Sequence, residues 1–331
     1  MKIQKILTVV VPSFNTSRYI DKGIGSFLEE RLFNDVELLM INDGSSDDTA
    51  QRIRQYMEKY PELIRLIDKE NGGHGSVINK GIEEAAGKYF KVVDGDDWVD
   101  ADNLLKLVAF LKSSEADLVI NPYISFGEIS KKETLYGKMN LISGREYSID
   151  EVINKGMNLK IHTATYRTDI LRKEGIRFSE KCFYEDFEYA NFPLLYVKTV
   201  AYLDFPVYYY LTEQKTQSVD NQSTYKNVDM FVRVYADSEA FLQKHKSNNS
   251  LVMSYIHQRV MVFLRQTYNV FVKNYHMQGI ERKIDSVDQA VKKVSLSNYK
   301  ELSKRYPYIN LIRLKKRWML HGMNVLLRLF K

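Results

Sequence analysis

The sequence predicts an α/β fold: an open, mostly parallel sheet with helices on both faces, followed by a helical C-terminal domain. Three observations lead there. Four short apolar, β-branched runs alternate with helical patterns within about 110 residues, the order that builds a parallel sheet. The first of them, Ile6 to Val11, is continuously apolar rather than alternating, as a strand buried on both faces is. From about Tyr225 onward the pattern is helical, with few glycines and Pro307 the only proline.

The first run, Ile6 to Val11, is closed by Pro12-Ser13-Phe14-Asn15, and a helical pattern from about Arg18 to Glu30 puts Ile20, Ile24, Phe27 and Leu28 on one face. The second, Val36 to Ile41, ends in Asn42-Asp43-Gly44-Ser45-Ser46-Asp47-Asp48-Thr49 before a helix to about Tyr60. The third, Ile64 to Ile67, leads into Glu70-Asn71-Gly72-Gly73-His74-Gly75 and a helix through Val77, Ile78 and Ile82. The fourth, Tyr89 to Val93, meets three carboxylates and then a helix from about Asp102 to Leu111. Ligands of such sheets gather beyond the carboxyl ends of the strands, where this chain keeps its Asp, Asn and Gly.

At 331 residues the chain is long enough for two domains. Its 44% hydrophobic and 27% charged content is that of an ordinary globular protein. The single cysteine, Cys182, has no partner for an internal disulfide, which fits a reducing cytoplasm. Met1-Lys2 followed by Ile6 to Val11 has the outline of a signal peptide, but the apolar run is short, stops at Pro12 and lacks a small-residue cleavage site. It reads as a first strand. No segment approaches the ~20 apolar residues that span a bilayer. The net charge of +6 is unevenly spread: residues 1–120 hold 15 Lys and Arg against 21 Asp and Glu, a balance of −6, and residues 226–331 hold 20 against 7, a balance of +13. An acidic front able to hold cations precedes a basic tail able to meet anionic surfaces.

Lys91-Val92-Val93-Asp94-Gly95-Asp96-Asp97-Trp98 is an apolar run that ends in carboxylates. Carboxylates so close raise one another's pKa and stand together at neutral pH when positive charge lies between them. Mg²⁺ or Mn²⁺, held by one or two carboxylates plus diphosphate oxygens, would meet that need at Asp94 and Asp96. An acidic turn capping the next helix accounts for the same residues. Asp43 is placed either to accept the N3–H of a uracil or to serve as an ordinary Asp-Gly turn. The glycines of 71–75 permit close backbone approach to a ligand, or a flexible turn. Gly23-Ile24-Gly25 lies too far past the first strand for a dinucleotide fingerprint, and no P-loop occurs.

Val11-Pro12-Ser13-Phe14-Asn15, Asn42-Asp43-Gly44-Ser45-Ser46-Asp47, Asn71-Gly72-Gly73-His74-Gly75 with Asn79-Lys80-Gly81, and Asp94-Gly95-Asp96-Asp97, in this order and spacing, resemble the family 2 glycosyltransferases with the Rossmann-like GT-A fold, of the bacterial cell-surface glycan type. The resemblance covers about residues 6–100. It implies that Pro12, Phe14 and Asp43 line the nucleoside site, that Asn71 and Lys80 lie near the nucleotide, and that Asp94 and Asp96 contact ribose and metal. Asn15, Gly72 and Gly95 stand in the same motifs and join the donor-binding set. The cation is thereby favoured over the capping turn.

An inverting sugar transfer needs a base for the acceptor hydroxyl, while a metal stabilises the departing diphosphate. Cys182-Phe183-Tyr184-Glu185-Asp186-Phe187-Glu188-Tyr189 is similar to the family's Glu-Asp motif, whose second acid is the base. That role falls to Asp186, with Glu185 supporting the site or binding acceptor. Lys160 to Arg167 reads as a strand under the acceptor site, in which His162 either meets a sugar or is structural. After Val207-Tyr208-Tyr209-Tyr210 the family often carries an Arg; here Leu211 follows, leaving Lys215 to supply the positive charge, with Ser218 further on.

In the tail, Phe231, Val234, Tyr235, Phe241 and Leu242 mark one amphipathic helix and Met253 to Tyr275 another. Drawn as one helix, Leu311 to Lys331 puts Arg313, Lys316, Arg317, Asn324, Arg328 and Lys331 on one side and Leu311, Leu314, Trp318, Val325, Leu326 and Leu329 on the other, with Lys315 and Leu320 out of place. Such a helix suits an anionic membrane surface or the protein's own helices. No nucleic-acid-binding motif accompanies the charge. The expected layout is a nucleotide-sugar-binding half over 1–120, an acceptor-binding half over 121–224 and a basic helical domain over 225–331. The expected activity is inverting, metal-dependent transfer of a hexosyl group from a UDP-linked donor to a hydroxyl of a cell-surface glycan or lipid-linked precursor at the inner face of the membrane, with Mn²⁺ or Mg²⁺ as cofactor. The alternative is a non-catalytic sugar-nucleotide or glycan-binding module on the same fold. A nucleotidyltransferase is disfavoured, since no glycine-rich, Arg- or Lys-bearing loop follows the first strand.

Overall fold

β1 (Leu7–Ser13) and β2 (Val36–Asp43) are buried along their whole lengths, as their continuous apolar runs require. A computed structural model of the chain describes residues 5–173, 176–213, 221–245 and 249–329. They form two compact units, Met1–Lys215 and Thr216–Lys331. In the first unit β1 and β2 are joined by β3 (Ile64–Lys69) and β4 (Tyr89–Val92), and α1 (Ile20–Gly25), α2 (Thr49–Lys59), α3 (His74–Glu84) and α4 (Ala101–Ser113) follow the four strands in turn. All four strands are parallel, in the order β3-β2-β1-β4. Val9, Val11, Ile24, Phe27, Leu38, Met40, Leu104 and Leu107 belong to one core cluster. Fully burying a side chain of this kind, such as Phe27, contributes roughly 1.5–3 kcal/mol.

The chain continues through β5 (Trp98–Val99), β6 (Leu118–Ile120), β7 (Tyr123–Gly127), β8 (Glu133–Tyr136), β9 (Glu146–Ser148), β10 (Ala164–Arg167), β11 (Thr199–Tyr202) and β12 (Tyr208–Thr212). The main sheet is β3-β2-β1-β4-β10-β6-β11-β9, with β10 antiparallel to both neighbours; β5-β12-β7-β8 form a second sheet. Lys91 of β4 is fully buried, and its ammonium donates to the carbonyls of His162 (3.0 Å) and Ala164 (3.3 Å). Burial lowers its pKa to about 7. This long side chain fixes the entry of β10 against the end of β4.

Two expected elements are shorter than the apolar pattern suggests. The helix expected over Arg18 to Glu30 is a 3₁₀ turn, Ser17–Tyr19, followed by only six residues of α1. Gly23 and Gly25 lower helix propensity there, and Phe27 reaches the core from the irregular stretch beyond. The strand expected over Lys160 to Arg167 begins only at Ala164, after a 3₁₀ turn, Ile161–Thr163, that carries His162.

The second unit holds seven helices among the described residues, the longest being Ser250–Lys273. Leu311 to Lys331 is not one helix: Tyr308–Arg313 and Arg317–Leu329 are separated by a break in which Lys315 has φ 58°. Arg313 turns inward, where it donates to Asp288 (3.0 Å) and the Tyr268 hydroxyl (3.1 Å) and lies 3.7 Å from the Tyr299 ring centre. Lys315 pairs with Asp285 (2.8 Å) and Arg317 with Glu281 (2.8 Å). Leu320 and Asn324 are buried, whereas Leu311, Leu314, Trp318 and Val325 are exposed. The faces of the expected amphipathic helix are therefore reversed, and three of its basic residues are neutralised by one acidic stripe on the helix Ile280–Val294. The side chains of Leu326, Arg328 and Leu329, and the whole of Lys331, lie outside the described residues.

Candidate active site

The carboxyl ends of the four parallel strands form one rim, and side chains tie its loops together. Pro12 is buried at the end of β1, opposite Ile41 in register, and Phe14 beyond it is 50% exposed. Asn15, in the left-handed region at φ 53°, donates its N–H to Ser45 Oγ (3.0 Å) and accepts the Ser46 N–H at Oδ1 (2.8 Å). Gly95 lies so close to β1 that a Cβ would stand 2.5 Å from the Pro12 carbonyl oxygen. Only glycine lets the acidic loop rest there. Asp43 is buried and accepts the N–H groups of Gly72 (2.9 Å) and Gly73 (2.8 Å) and the Lys69 ammonium (2.6 Å). It anchors the glycine-rich loop against β2, with Asn71 packed on Gly44. Lys80 is not brought to the acids of the rim; its ammonium pairs with Glu84 of its own helix (2.8 Å).

Asp94, Asp97 and His162 offer ligand atoms within 4.8 Å of one another. Asp97 is buried, accepting the Tyr208 hydroxyl (2.5 Å) and the Leu211 N–H (2.6 Å). Burial first, then the charges of Asp96 and Asp94, push its carboxyl well above the usual range. His162 is driven down to about 4 by burial and is neutral, and its Nδ1 has no hydrogen-bond partner. An unpartnered imidazole nitrogen beside two carboxyl groups is a donor set that fits a divalent cation. Asp96 is partly exposed and lies outside this group of three.

His74, the first residue of α3, joins this cluster to the Glu-Asp motif. Its Nε2 lies 2.8 Å from Asp94 Oδ1 and its Nδ1 2.6 Å from Glu185 Oε1. A neutral imidazole has one N–H, so donation to both acids requires the cationic ring. Burial opposes that charge, but Asp94 and then Glu185 outweigh it and raise the His74 pKa well above its ordinary value. Burial likewise opposes the Asp94 carboxylate, and His74 holds it below the usual range. Gly75 makes the approach possible: a Cβ there would stand 2.1 Å from the Ser179 carbonyl oxygen and 3.1 Å from Glu185 Cγ. Asn79 clamps the same segment, donating to the Phe178 carbonyl (2.9 Å) and accepting the Phe178 N–H (3.0 Å).

Asp186 opens the helix Asp186–Asn191 and is exposed in side chain, yet protein crowds around it. This desolvation, then the charge of Glu185, raises its pKa. Lys215 and Ser218 lie outside the described residues. Sequence reasoning passed over His74, Asp97 and Tyr208 as members of the site. A usable signal was charge balance, since acids at 94–97 and 185–186 need a cationic neighbour and His74 stands in the glycine-rich loop of the same rim.

A mostly parallel sheet whose rim gathers carboxylates, imidazoles and a glycine-rich loop is the layout of a GT-A glycosyltransferase. The chain belongs to glycosyl transferase family 2, which it matches over residues 8–175. It is 29% identical over 128 residues to the glycosyltransferase GlyA of Streptococcus pneumoniae, covering 39% of this chain and 18% of GlyA. It is 28% identical over 207 residues to the teichoic acid poly(glycerol phosphate) polymerase of Staphylococcus epidermidis, covering 61% of this chain and 28% of that one. The chain thus spans less than a third of either relative. Among solved structures it resembles TarS 1–349 of S. aureus in complex with UDP-GlcNAc, with a TM-score of 0.70 and 19% identity over 98% of this chain and 92% of TarS 1–349. Among the described residues no helix is long and apolar enough to cross a membrane.

Proposed function

We propose that the protein transfers a hexosyl group, with inversion, from a UDP-linked donor to a hydroxyl of a cell-surface glycan or lipid-linked precursor. The observation that carries this reading is the joining of Asp94, on the donor rim, to the Glu185–Asp186 pair through one imidazole. The UDP and UDP-GlcNAc complexes of TarS support the choice of nucleotide. The teichoic acid polymerase supports a cell-surface product. Phe14 offers a half-exposed ring to the base, and Asp43 with Gly72 sets the loop that carries Asn71 under the nucleotide. Asp186 takes the proton of the acceptor hydroxyl as that oxygen attacks the anomeric carbon, and its raised pKa strengthens it as a base. Asp94, Asp97 and His162, with Asp96 on the solvent side, would hold Mn²⁺ or Mg²⁺. Such an ion, when bound, neutralises the departing diphosphate. The exposed side of the last helix gives peripheral contact with an anionic membrane.

Loss of a general base lowers turnover about 10²–10⁴-fold. We expect that loss in Asp186→Asn, with UDP affinity by calorimetry nearly unchanged; unaltered turnover removes Asp186 from the role. UDP should bind more tightly with Mn²⁺ than without it, and Asp94→Ala should abolish the difference. Equal affinities in the wild type would contradict the metal assignment. A binding module on the same fold would release no UDP from UDP-sugars at any protein concentration.

A further inference from the structure

We propose that His74 is a positioning residue that carries the state of the donor rim to the acids that face the acceptor. The proposal rests on the transferase reading above. His74 reaches two carboxylates 20 and 111 residues away in sequence, one from each ring nitrogen, and the ring between them is rigid. Glu185 is buried; His74 meets its Oε1, and its Oε2 has no hydrogen-bond partner. Nothing else among the described residues hydrogen-bonds this carboxylate, so its setting follows the imidazole. Asp186 comes next in the chain. On the other side, His74 occupies Oδ1 of Asp94, the carboxylate assigned here to donor contact. A ligand that pulls on Asp94 therefore moves or locks a lever whose far end is Glu185. The two glycines flanking His74 serve this geometry: Gly73 has φ +82° at the entry to α3, and Gly75 admits the Ser179–Glu185 segment against it.

Hydrogen exchange of the full chain, read by mass spectrometry with and without UDP and Mn²⁺, tests the coupling without an acceptor. In the wild type, amides of residues 179–191 should exchange at least about 5-fold more slowly with UDP and Mn²⁺, the lower end of ordinary coupling between sites. His74→Ala should abolish that slowing while the loops at 12–16 and 94–97 still respond. Glu185→Ala leaves the His74–Asp94 contact in place and should abolish it equally, which gives the answer even if His74→Ala does not fold. Slowing at 179–191 that survives in Glu185→Ala overturns the proposal, as does a wild type in which only the rim loops respond. A wild type in which no segment responds overturns the donor reading instead.

Discussion

At Asp186, access and desolvation coincide. The carboxyl is open to an incoming hydroxyl, yet the surrounding protein and Glu185 raise its pKa, with Lys160 and His74 pulling the other way. Only the ionised form accepts a proton, so a raised pKa moves the acid limb of the rate profile to higher pH. We expect kcat/KM to rise about tenfold per pH unit up to an apparent pKa above the ~3.9 of a free aspartate. Glu185→Gln, which removes the repelling charge, should shift that limb to lower pH. A limb at or below the free value would contradict the assignment. Asp94 was legible in the sequence because it sits in a run of acids that needs an explanation on charge grounds, and Asp186 because its motif is similar to the family's Glu-Asp motif. His74 was not, since an imidazole means little until what faces each nitrogen is known, and both partners here are remote in sequence.

Among the elements, the four front strands were legible to within two residues at either end, because apolar side chains dominate each run. The helices were less so. A wheel drawn through Leu311 to Lys331 presumes an unbroken helix, and the left-handed backbone at Lys315 rotates all that follows it. The inward turn of Arg313 is the outcome, and Asp288, Tyr268 and Tyr299 receive it. Removing one member of a buried ion pair strands the other and costs about 3–5 kcal/mol. Arg313→Ala should lose that much in urea denaturation, and Arg313→Lys, which keeps the charge but not the planar fork, less. A loss under about 1 kcal/mol in Arg313→Ala, the scale of an exposed pair, would show that the pair does not anchor this unit.

Over the whole molecule, the acidic front and basic tail differ in how their charge is used. Asp43, Asp94, Asp96 and Asp97 of the front stand at the rim, while Arg313, Lys315 and Arg317 of the tail are paired with Asp288, Asp285 and Glu281. Attachment to a bilayer would then draw on the exposed apolar stripe, where Trp318 is 71% exposed, more than on net charge. We expect the full chain to sediment with phosphatidylglycerol vesicles, Trp318→Ala to sediment less, and raised salt to matter little. Absence of the intact chain from the vesicle pellet would end the membrane reading.

β10 runs against its neighbours, so it begins at the rim where β1 to β4 finish. That reversal is why His162, which precedes its strand, stands beside Asp94, which follows its own. One side of the group is made by a segment leaving the sheet and the other by a segment entering it. The candidate cation donors, Asp94 and His162, therefore sit in stretches of chain that can lengthen, shorten or change side chain independently, without disturbing a single rung of the strands that hold them.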